Sequence, residues 1–513
     1  ADGTTNHNTV TLAGGTVTGT VSGGNRTAQG NKLVVNTNAR VGRIENFEKY
    51  VFNYEESMAA NPMLTLTGGA AAMNLSAIEA NGTVTETPTT LVHNAAGLTI
   101  ADYDNKPKSM LNADGTRETN LDVRKTGTLL TDIVRYSSYR LKGSTESTTS
   151  GGNTWGGRSA AGNTTAENSV TITGGNHTDI YGGWTTGTGS QAAADKRGDS
   201  ISNKVTVNGS AAVSGTVYGG YSDVGGGKAT RNEVTVDKAI AGAVVGGKAR
   251  GEASGNTVTI KANTGAVTGG EGAITNNNTV NLEGASVNGT ITGGTQADGT
   301  GNTLNVAGTN TAANIVGFQK VHFDAMGAVK NSTLLTITGA DATKVDWTNL
   351  TATGTAEKPL TLLKNESGID LAGYTGAAKS ETTDTAETNV DVRKDDHGKV
   401  TEITYEGYQF ARAESASVIG TDAYGGISKA GNATHANAIT VNGDYTNVYG
   451  GHTSGTSTTD VEKKNSYDNT VTITGGTLGN VYGGYTAAAD GTTNNNTVTL
   501  AGGTVTGTVS GGN

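Results

Sequence analysis

An all-β chain wound as a parallel β-solenoid is what this sequence predicts, and three observations predict it. A short grammar, NTVTLAGGTVTGTVSGGN from Asn8 to Asn25, returns again and again along the chain. Within it apolar residues recur at every second position, the period of a strand. Residues 489–513 also repeat residues 1–25 at an offset of 488, with the single change of His7 to Asn495. The 513 residues therefore read as a window onto a longer tandem array.

Composition agrees with many short strands joined by tight corners. Glycine, at 78 residues, is about twice as common as in ordinary globular chains, while Phe (5) and Trp (3) are scarce. Thr and Val favour strands, and Gly and Asn supply turns. A disordered chain has no need of regular apolar alternation, which argues against disorder. The net charge of −10 comes without any basic run, so nucleic acid is not expected as a partner. With no cysteine there is no disulfide and no thiolate metal site. No signal peptide opens the stretch and no run of about eighteen apolar residues crosses it, so no membrane insertion is expected within it. Because the stretch reads as internal to something longer, this does not describe the parent protein.

Taken in order, the grammar is an Asn, a three-position apolar alternation, a small-residue corner, a second short strand and then Gly-Gly. It restarts at Asn8, Asn168, Asn203, Asn232, Asn256, Asn278, Asn437, Asn469 and Asn496. The paired apolar slots hold Val10 and Leu12, Val170 and Ile172, Val205 and Val207, Val234 and Val236, Val258 and Ile260, Val280 and Leu282, Ile439 and Val441, Val471 and Ile473, and Val498 and Leu500. Residues two apart share a strand face, so each rung presents its pair inward. Such a unit cannot bury its own apolar face, whereas stacked units share a continuous column. Length varies mostly after Gly-Gly, as from Gly182 to Asn203, which suits corner loops.

Simple rungs are expected at 1–37, 151–307 and 426–513, the last ending in the restart of the 488-residue repeat. Two longer segments, 38–150 and 308–425, resemble each other. LTLTG from Leu64 answers LTITG from Leu335, Phe47 answers Phe318, and TNLDVRK from Thr119 answers TNVDVRK from Thr388. Together they hold every Phe, Met and Pro and one of the three Trp, so a thicker core is expected there. They read either as wider coils with hairpin excursions or as small β-modules spliced into the column.

Several recurring residues invite a functional reading. The rung-opening Asn side chains are expected to form a hydrogen-bonded ladder; the alternative is that Asn is there because it tolerates left-handed turn geometry. Outward Thr residues (Thr11, Thr171, Thr206, Thr235, Thr259, Thr440, Thr472, Thr499) could order water as an ice-binding array, but Lys204 and Glu233 in the neighbouring outward column speak for a plain solvated strand. Tyr181, Tyr218, Tyr449 and Tyr482 precede Gly-Gly, and Trp184, Tyr221, His452 and Tyr485 follow it, giving an outward aromatic row. That row is a candidate surface for sugar stacking or lateral fibre contact; the structural alternative has the rings covering glycine backbone. Asp122, Arg124 and Lys125 recur as Asp391, Arg393 and Lys394, either a local ion pair or a contact between copies. No nucleophile elbow, zinc-protease motif or calcium nonapeptide occurs, and VGGGKAT from Val224 lacks the spacing and the Ser/Thr of a phosphate loop. No catalytic residue, cofactor or metal is expected; Asp102 and Asp104 are the candidates for an acidic site built across rungs, were there one.

The rungs NSVTITGGNHTDIYGGW and NTVTITGGTLGNVYGGY, with the longer GFQKVHFDAMG and PLTLLKNESGIDLAGYTG stretches, resemble the passenger repeats of large autotransporter-type bacterial surface adhesins. The resemblance implies a right-handed β-helix, export through an outer-membrane barrel and a place at the cell surface. The reading that follows is an extracellular filament or adhesin stalk with no enzymatic activity. Its expected partners are further copies of the repeat along the axis, lateral fibre neighbours and surface glycans. A polysaccharide-acting β-helix enzyme or a carbohydrate-binding module is the alternative.

Overall fold

The computed structural model describes residues 5–25, 29–55, 58, 61–82, 86, 88–126, 129–187, 198–297, 299–354, 359–455 and 464–513. The chain is a parallel β-solenoid. It divides into two compact units, residues 1–304 with 316–318, and residues 305–315 with 319–513. Helix among the described residues is limited to short turns such as Leu75–Ala77, and none is long and apolar enough to cross a membrane.

In the first unit, alternation turns into stacked faces. One face is built from Thr9–Leu12, Lys32–Val35, Lys49–Asn53 and Ile78–Asn81, and a second from Gly15–Ser22, Ala39–Glu45, Leu64–Leu66 and Thr89–Asn94, every neighbouring pair parallel. Pairing thus runs unbroken across residue 38. After Thr89–Asn94 it turns antiparallel, through Leu129–Arg140, Arg117–Thr126 and Lys108–Leu111. Parallel coils then resume. Ser169–Ile172, Lys204–Val207, Glu233–Val236, Thr257–Ile260 and Thr279–Glu283 form one face. Asn153–Ser159, Ile180–Thr185, Thr216–Ser222, Ala243–Ala249, Val267–Glu271 and Ser286–Gly294 form another.

The second unit repeats the plan. Thr333–Ile337 and Leu360–Asn365 pair in parallel, and then Val400–Gln409, Ala386–Lys394 and Lys379–Thr382 continue antiparallel. Coils return as Asp422–Ser428, Tyr445–Thr453 and Thr477–Thr486 on one face and Ala438–Val441, Thr470–Ile473 and Thr497–Leu500 on another. Each longer segment therefore consists of parallel coils followed by an antiparallel excursion.

Strand parity decides what is buried. In the first unit Val170, Ile172, Val205, Val207, Val234, Val236, Val258, Ile260, Val280 and Leu282 are at most 3 % exposed. Each removes from water a side chain worth about 1.5–3 kcal/mol. The register that aligns them is Val205 on Val234 on Val258 on Val280, like on like. The expected thicker core appears too, with Phe52, Met63, Leu64 and Leu91 fully buried in one cluster.

One buried charge ties each excursion to the coil that follows it. Glu118 is fully buried and accepts hydrogen bonds from Asn120 Nδ2 (2.7 Å), Ala160 N (2.7 Å), Ser159 Oγ (2.7 Å) and Asn163 Nδ2 (2.8 Å). In the second unit Glu387 does the same with Asn389 Nδ2 (2.8 Å), Lys429 N (2.7 Å), Ser428 Oγ (2.6 Å) and Asn432 Nδ2 (2.6 Å). Charge-assisted bonds of this number offset the desolvation of a carboxylate. Removing it strands four donors, so Glu118→Ala is expected to cost about 3–5 kcal/mol of local stability. Limited proteolysis reads this as faster cleavage between residues 108 and 140; cleavage at the parent rate would show that the staple does not hold the excursion.

Candidate functional site

The rung-opening asparagines form a ladder, and it lies inside the coil. In the first unit Asn168, Asn203, Asn232, Asn256, Asn278 and Asn302 are all fully buried. Each Nδ2 donates to the Oδ1 of the next, at 2.8, 3.0, 3.0, 3.0 and 3.2 Å. The same Oδ1 also accepts the preceding asparagine's backbone N–H, at 2.9 to 3.2 Å. The second Nδ2 hydrogen goes to a carbonyl one coil back, as from Asn256 to Ala229 O and from Asn278 to Ala253 O, both 3.0 Å. Both donors and both lone pairs of the amide are then used. In the second unit Asn437 donates to Asn469 (2.7 Å) and Asn469 to Asn496 (2.9 Å), and near the start of the chain Asn8 donates to Asn31 (3.1 Å).

Left-handed geometry belongs to the residue before the ladder. Glu167, Ser202, Arg231, Gly255, Asn277 and Gly301 have φ between 53° and 72°, as do Ala436, Asp468 and Asn495, whereas no ladder asparagine has positive φ. The alternative account of these asparagines as left-handed turn formers is therefore displaced by one position. Behind the ladder sits the Gly-Gly pair. A Cβ on Gly219 would lie 2.4 Å from Gly246 O, and one on Gly220 would lie 2.4 Å from Asn232 Nδ2. Only glycine lets the backbone come this close to the amide column.

The aromatic rows follow from the same corner. Val217, Val448 and Val481 point inward and are fully buried, so the tyrosine after each turns outward. Register then puts like on like: Trp155, Tyr181 and Tyr218 in one row, Arg158, Trp184 and Tyr221 in the next. In the second unit the rows are Tyr424, Tyr449 and Tyr482, and Ile427, His452 and Tyr485. The rings stack on one another, Tyr181 on Trp184 (4.5 Å between centroids, 9° between planes), Tyr181 on Tyr218 (5.1 Å, 9°), Tyr424 on Tyr449 (5.1 Å, 13°), Tyr449 on Tyr482 (5.4 Å, 12°) and His452 on Tyr485 (4.9 Å, 8°). Ring faces inside the rows are thus occupied by neighbouring rings, and the hydroxyls of Tyr181 and Tyr424 donate to Asp179 (3.3 Å) and Asp422 (3.4 Å). Trp155 and Tyr181 are buried and the other rings are half-buried. Trp155 and Tyr424 open the rows; both obey the aromatic-Gly-Gly grammar, which is the signal by which sequence reading could have found them.

The remaining candidates have local structural partners. Thr171, Thr206, Thr235 and Thr259 form the outward column in register, and Lys204 and Glu233 beside it pair along the axis at 3.3 Å. Asp102 accepts the backbone N–H groups of Leu75 (2.7 Å) and Ser76 (2.8 Å); burial raises its pKa, but these bonds outweigh burial and hold it below the usual carboxylate value. Asp104 accepts Lys106 N at 3.2 Å. Arg393 pairs with Glu402 at 2.7 Å and Asp122 accepts the Tyr103 hydroxyl at 3.1 Å, while the side chain of Lys125 lies outside the described residues. Residues 188–197 of the long corner also lie outside them. Among the described residues no group of three or more His, Asp or Glu is placed to hold a metal ion.

Two expectations follow. Asn256→Ala removes the acceptor of Asn232 N and Nδ2 and both donors of its own amide, and should cost about 2–4 kcal/mol, against less than about 0.5 for the outward Thr235→Ala; equal denaturant midpoints for the two variants would refute a structural ladder. Burial first, and then the charge of Asp422, push Tyr424 and Tyr449 from 10.0 up to about 12. The folded state keeps these hydroxyls protonated where the unfolded chain would lose them, so their contribution is complete below pH 10 and is lost as pH rises through about 12. The melting temperature of the Tyr424→Phe/Tyr449→Phe variant should fall less over that window than that of the parent. Compared with family models, curated proteins and solved structures, this chain matches none.

Proposed function

We propose that this chain is part of an extracellular structural filament or adhesin stalk, in which 488-residue β-solenoid repeats follow one another along an axis. Further copies of the repeat are its partners in that direction. Attachment to a surface or to another cell is the role we assign to it, and autotransporter-type export to the outer surface is the route we infer from the likeness of its rungs to those passengers.

The observation that carries the reading is the behaviour of one sequence in two places. Residues 1–25 and 489–513 are nearly the same peptide. In the first, Leu12 and Val21 are 8 % and 9 % exposed, because the following coil pairs with them through Val35 and Ile44. In the second, the equivalent Leu500 and Val509 pair with the preceding coil, through Ile473 and Val481, and are 53 % and 44 % exposed. The ladder divides in the same way. Asn8 donates its amide and backbone N–H forward to Asn31, at 3.1 and 2.8 Å. Asn496 instead accepts both from Asn469, at 2.9 and 3.0 Å. One copy uses the forward edge of the coil and the other the backward edge, so a single coil of this sequence serves both at once.

Hydrogen exchange tests this. In a chain lengthened after Asn513 by a further copy of residues 26–513, the amides of 497–512 should exchange at least tenfold more slowly than in the 513-residue chain. Unchanged exchange would remove the basis for an axial array.

A further inference from the structure

We infer that the second unit carries a binding site for a carboxylate-bearing sugar, in a cavity between its antiparallel excursion and the coil that follows. The cavity measures about 580 Å³, within the size range of small-molecule sites and suited to one or two sugar rings. Lys330, Arg393 and Lys429 line it with Glu406; Arg393 is paired with Glu402 behind it (2.7 Å) and Lys429 with Glu406 (2.9 Å), which leaves Lys330 as the lining cation with no ion pair among the described residues. Val418 and Ile419, 52 % and 42 % exposed, form an apolar lip.

Comparison with the first unit shows how the cavity arises. Glu118 lies opposite Tyr139 across the antiparallel pair as Glu387 lies opposite Tyr408, and Trp155-Gly-Gly-Arg158 occupies the place of Tyr424-Gly-Gly-Ile427. In the first unit the Arg158 guanidinium fills the space, lying 4.6 Å from the Tyr139 ring, 4.6 Å from Trp155 and 4.5 Å from Trp184. In the second, Ile427 is too short to do this. The cation over the tyrosine comes instead from Lys429, two residues further on, with Nζ 4.8 Å from the Tyr408 ring and 2.9 Å from Glu406. Its backbone is held there by Glu387. The lip changes as well: Thr149 and Ser150, opposite Thr154 and Asn153, become Val418 and Ile419, opposite Ala423 and Asp422. Three differences on one scaffold thus remove an internal plug, supply a lysine and make the rim apolar.

Those features select the ligand. The Arg393 guanidinium spends Nη1 on Glu402 (2.7 Å) and keeps further N–H donors for a ligand carboxylate, and Lys330 adds an exposed charge at the mouth. An apolar lip suits the C–H face of a pyranose and has no use for free phosphate. The site stands whether or not the chain is a filament.

Saturation-transfer NMR observed on the ligand tests it, with glucuronate as probe and glucose and inorganic phosphate as comparisons. Glucuronate should receive saturation with millimolar affinity, glucose should not, and equimolar phosphate should leave the signal in place. Lys330→Glu, at an exposed position, should weaken binding at least fivefold. Ile427→Arg, which copies the plug of the first unit, should abolish it with the melting temperature retained. Equal transfer to glucose, displacement by phosphate, or full binding by Lys330→Glu would overturn the assignment, and Lys330→Glu decides the matter should Ile427→Arg fail to fold.

Discussion

A primary amide buried where water cannot reach it has to find four hydrogen-bond partners, and in this chain it finds them only if consecutive coils stand in one register. Asn232 reaches forward to Asn256 and back to Ser200 O, and Asn256 repeats the act with Asn278 and Ala229 O. A coil that slipped by one residue would bring the opposite face of each strand inward and strand every amide beside an apolar neighbour. Apolar burial alone is less discriminating, since Val over Val and Val over Ile are nearly equivalent. Hydrophobic contact therefore stabilises the stack, while the amides specify which residue sits over which.

The rest of the corner follows from that requirement. To let the amide column approach, the facing backbone has to lack side chains, which accounts for Gly-Gly; to turn into the ladder, the preceding residue has to adopt left-handed φ, which Glu167, Arg231 and Ala436 do at a local cost. Once register is set, whatever lies outside repeats at the coil spacing. Aromatic rings then stack face to face, and charges meet along the axis, as in Lys204 with Glu233 and Lys248 with Glu271 (2.5 Å). Each exposed pair contributes little by itself.

The paired apolar slots, the outward threonines and the thicker core were legible because parity is a local property of a strand. Position inside the coil was not. Asparagine opens each rung in a pattern that both a ladder and a turn former would produce, and only the neighbouring φ values separate the two. The antiparallel excursions were ambiguous for a related reason, since alternation looks alike in parallel and antiparallel strands. Glu118 and Glu387 do recur, each one residue before the TNLDVRK and TNVDVRK stretches, but nothing local marks either carboxylate as buried: the partners Ser159 and Asn163 lie 41 and 45 residues away from Glu118. Trp155 and Tyr424 were visible in the grammar, but the aromatic rows were drawn without them. Where rings stack on rings, the faces are spent on neighbours, so an outward aromatic row is a poorer sugar platform than its sequence implies.

Tandem copies also separate scaffold from specialisation. The carboxylate staple keeps Glu, Asn, Ser and Asn at matching places in both units, Glu118 with Asn120, Ser159 and Asn163, and Glu387 with Asn389, Ser428 and Asn432. Nothing beyond folding is needed to account for that agreement. A few ångströms away the units part company, with Arg158 against Ile427 and Ala160 against Lys429. The change is not a simple loss of packing, because the cation over tyrosine is kept while its origin moves two residues along the chain, to just past the strand end at Ser428. A substitution that merely relaxed the core would leave the tyrosine bare; one that moves the charge and opens the space beside it alters what the surface offers to a ligand. In a solenoid held by buried amides such a change is tolerated, since the outward corner can vary without disturbing the register that the ladder imposes.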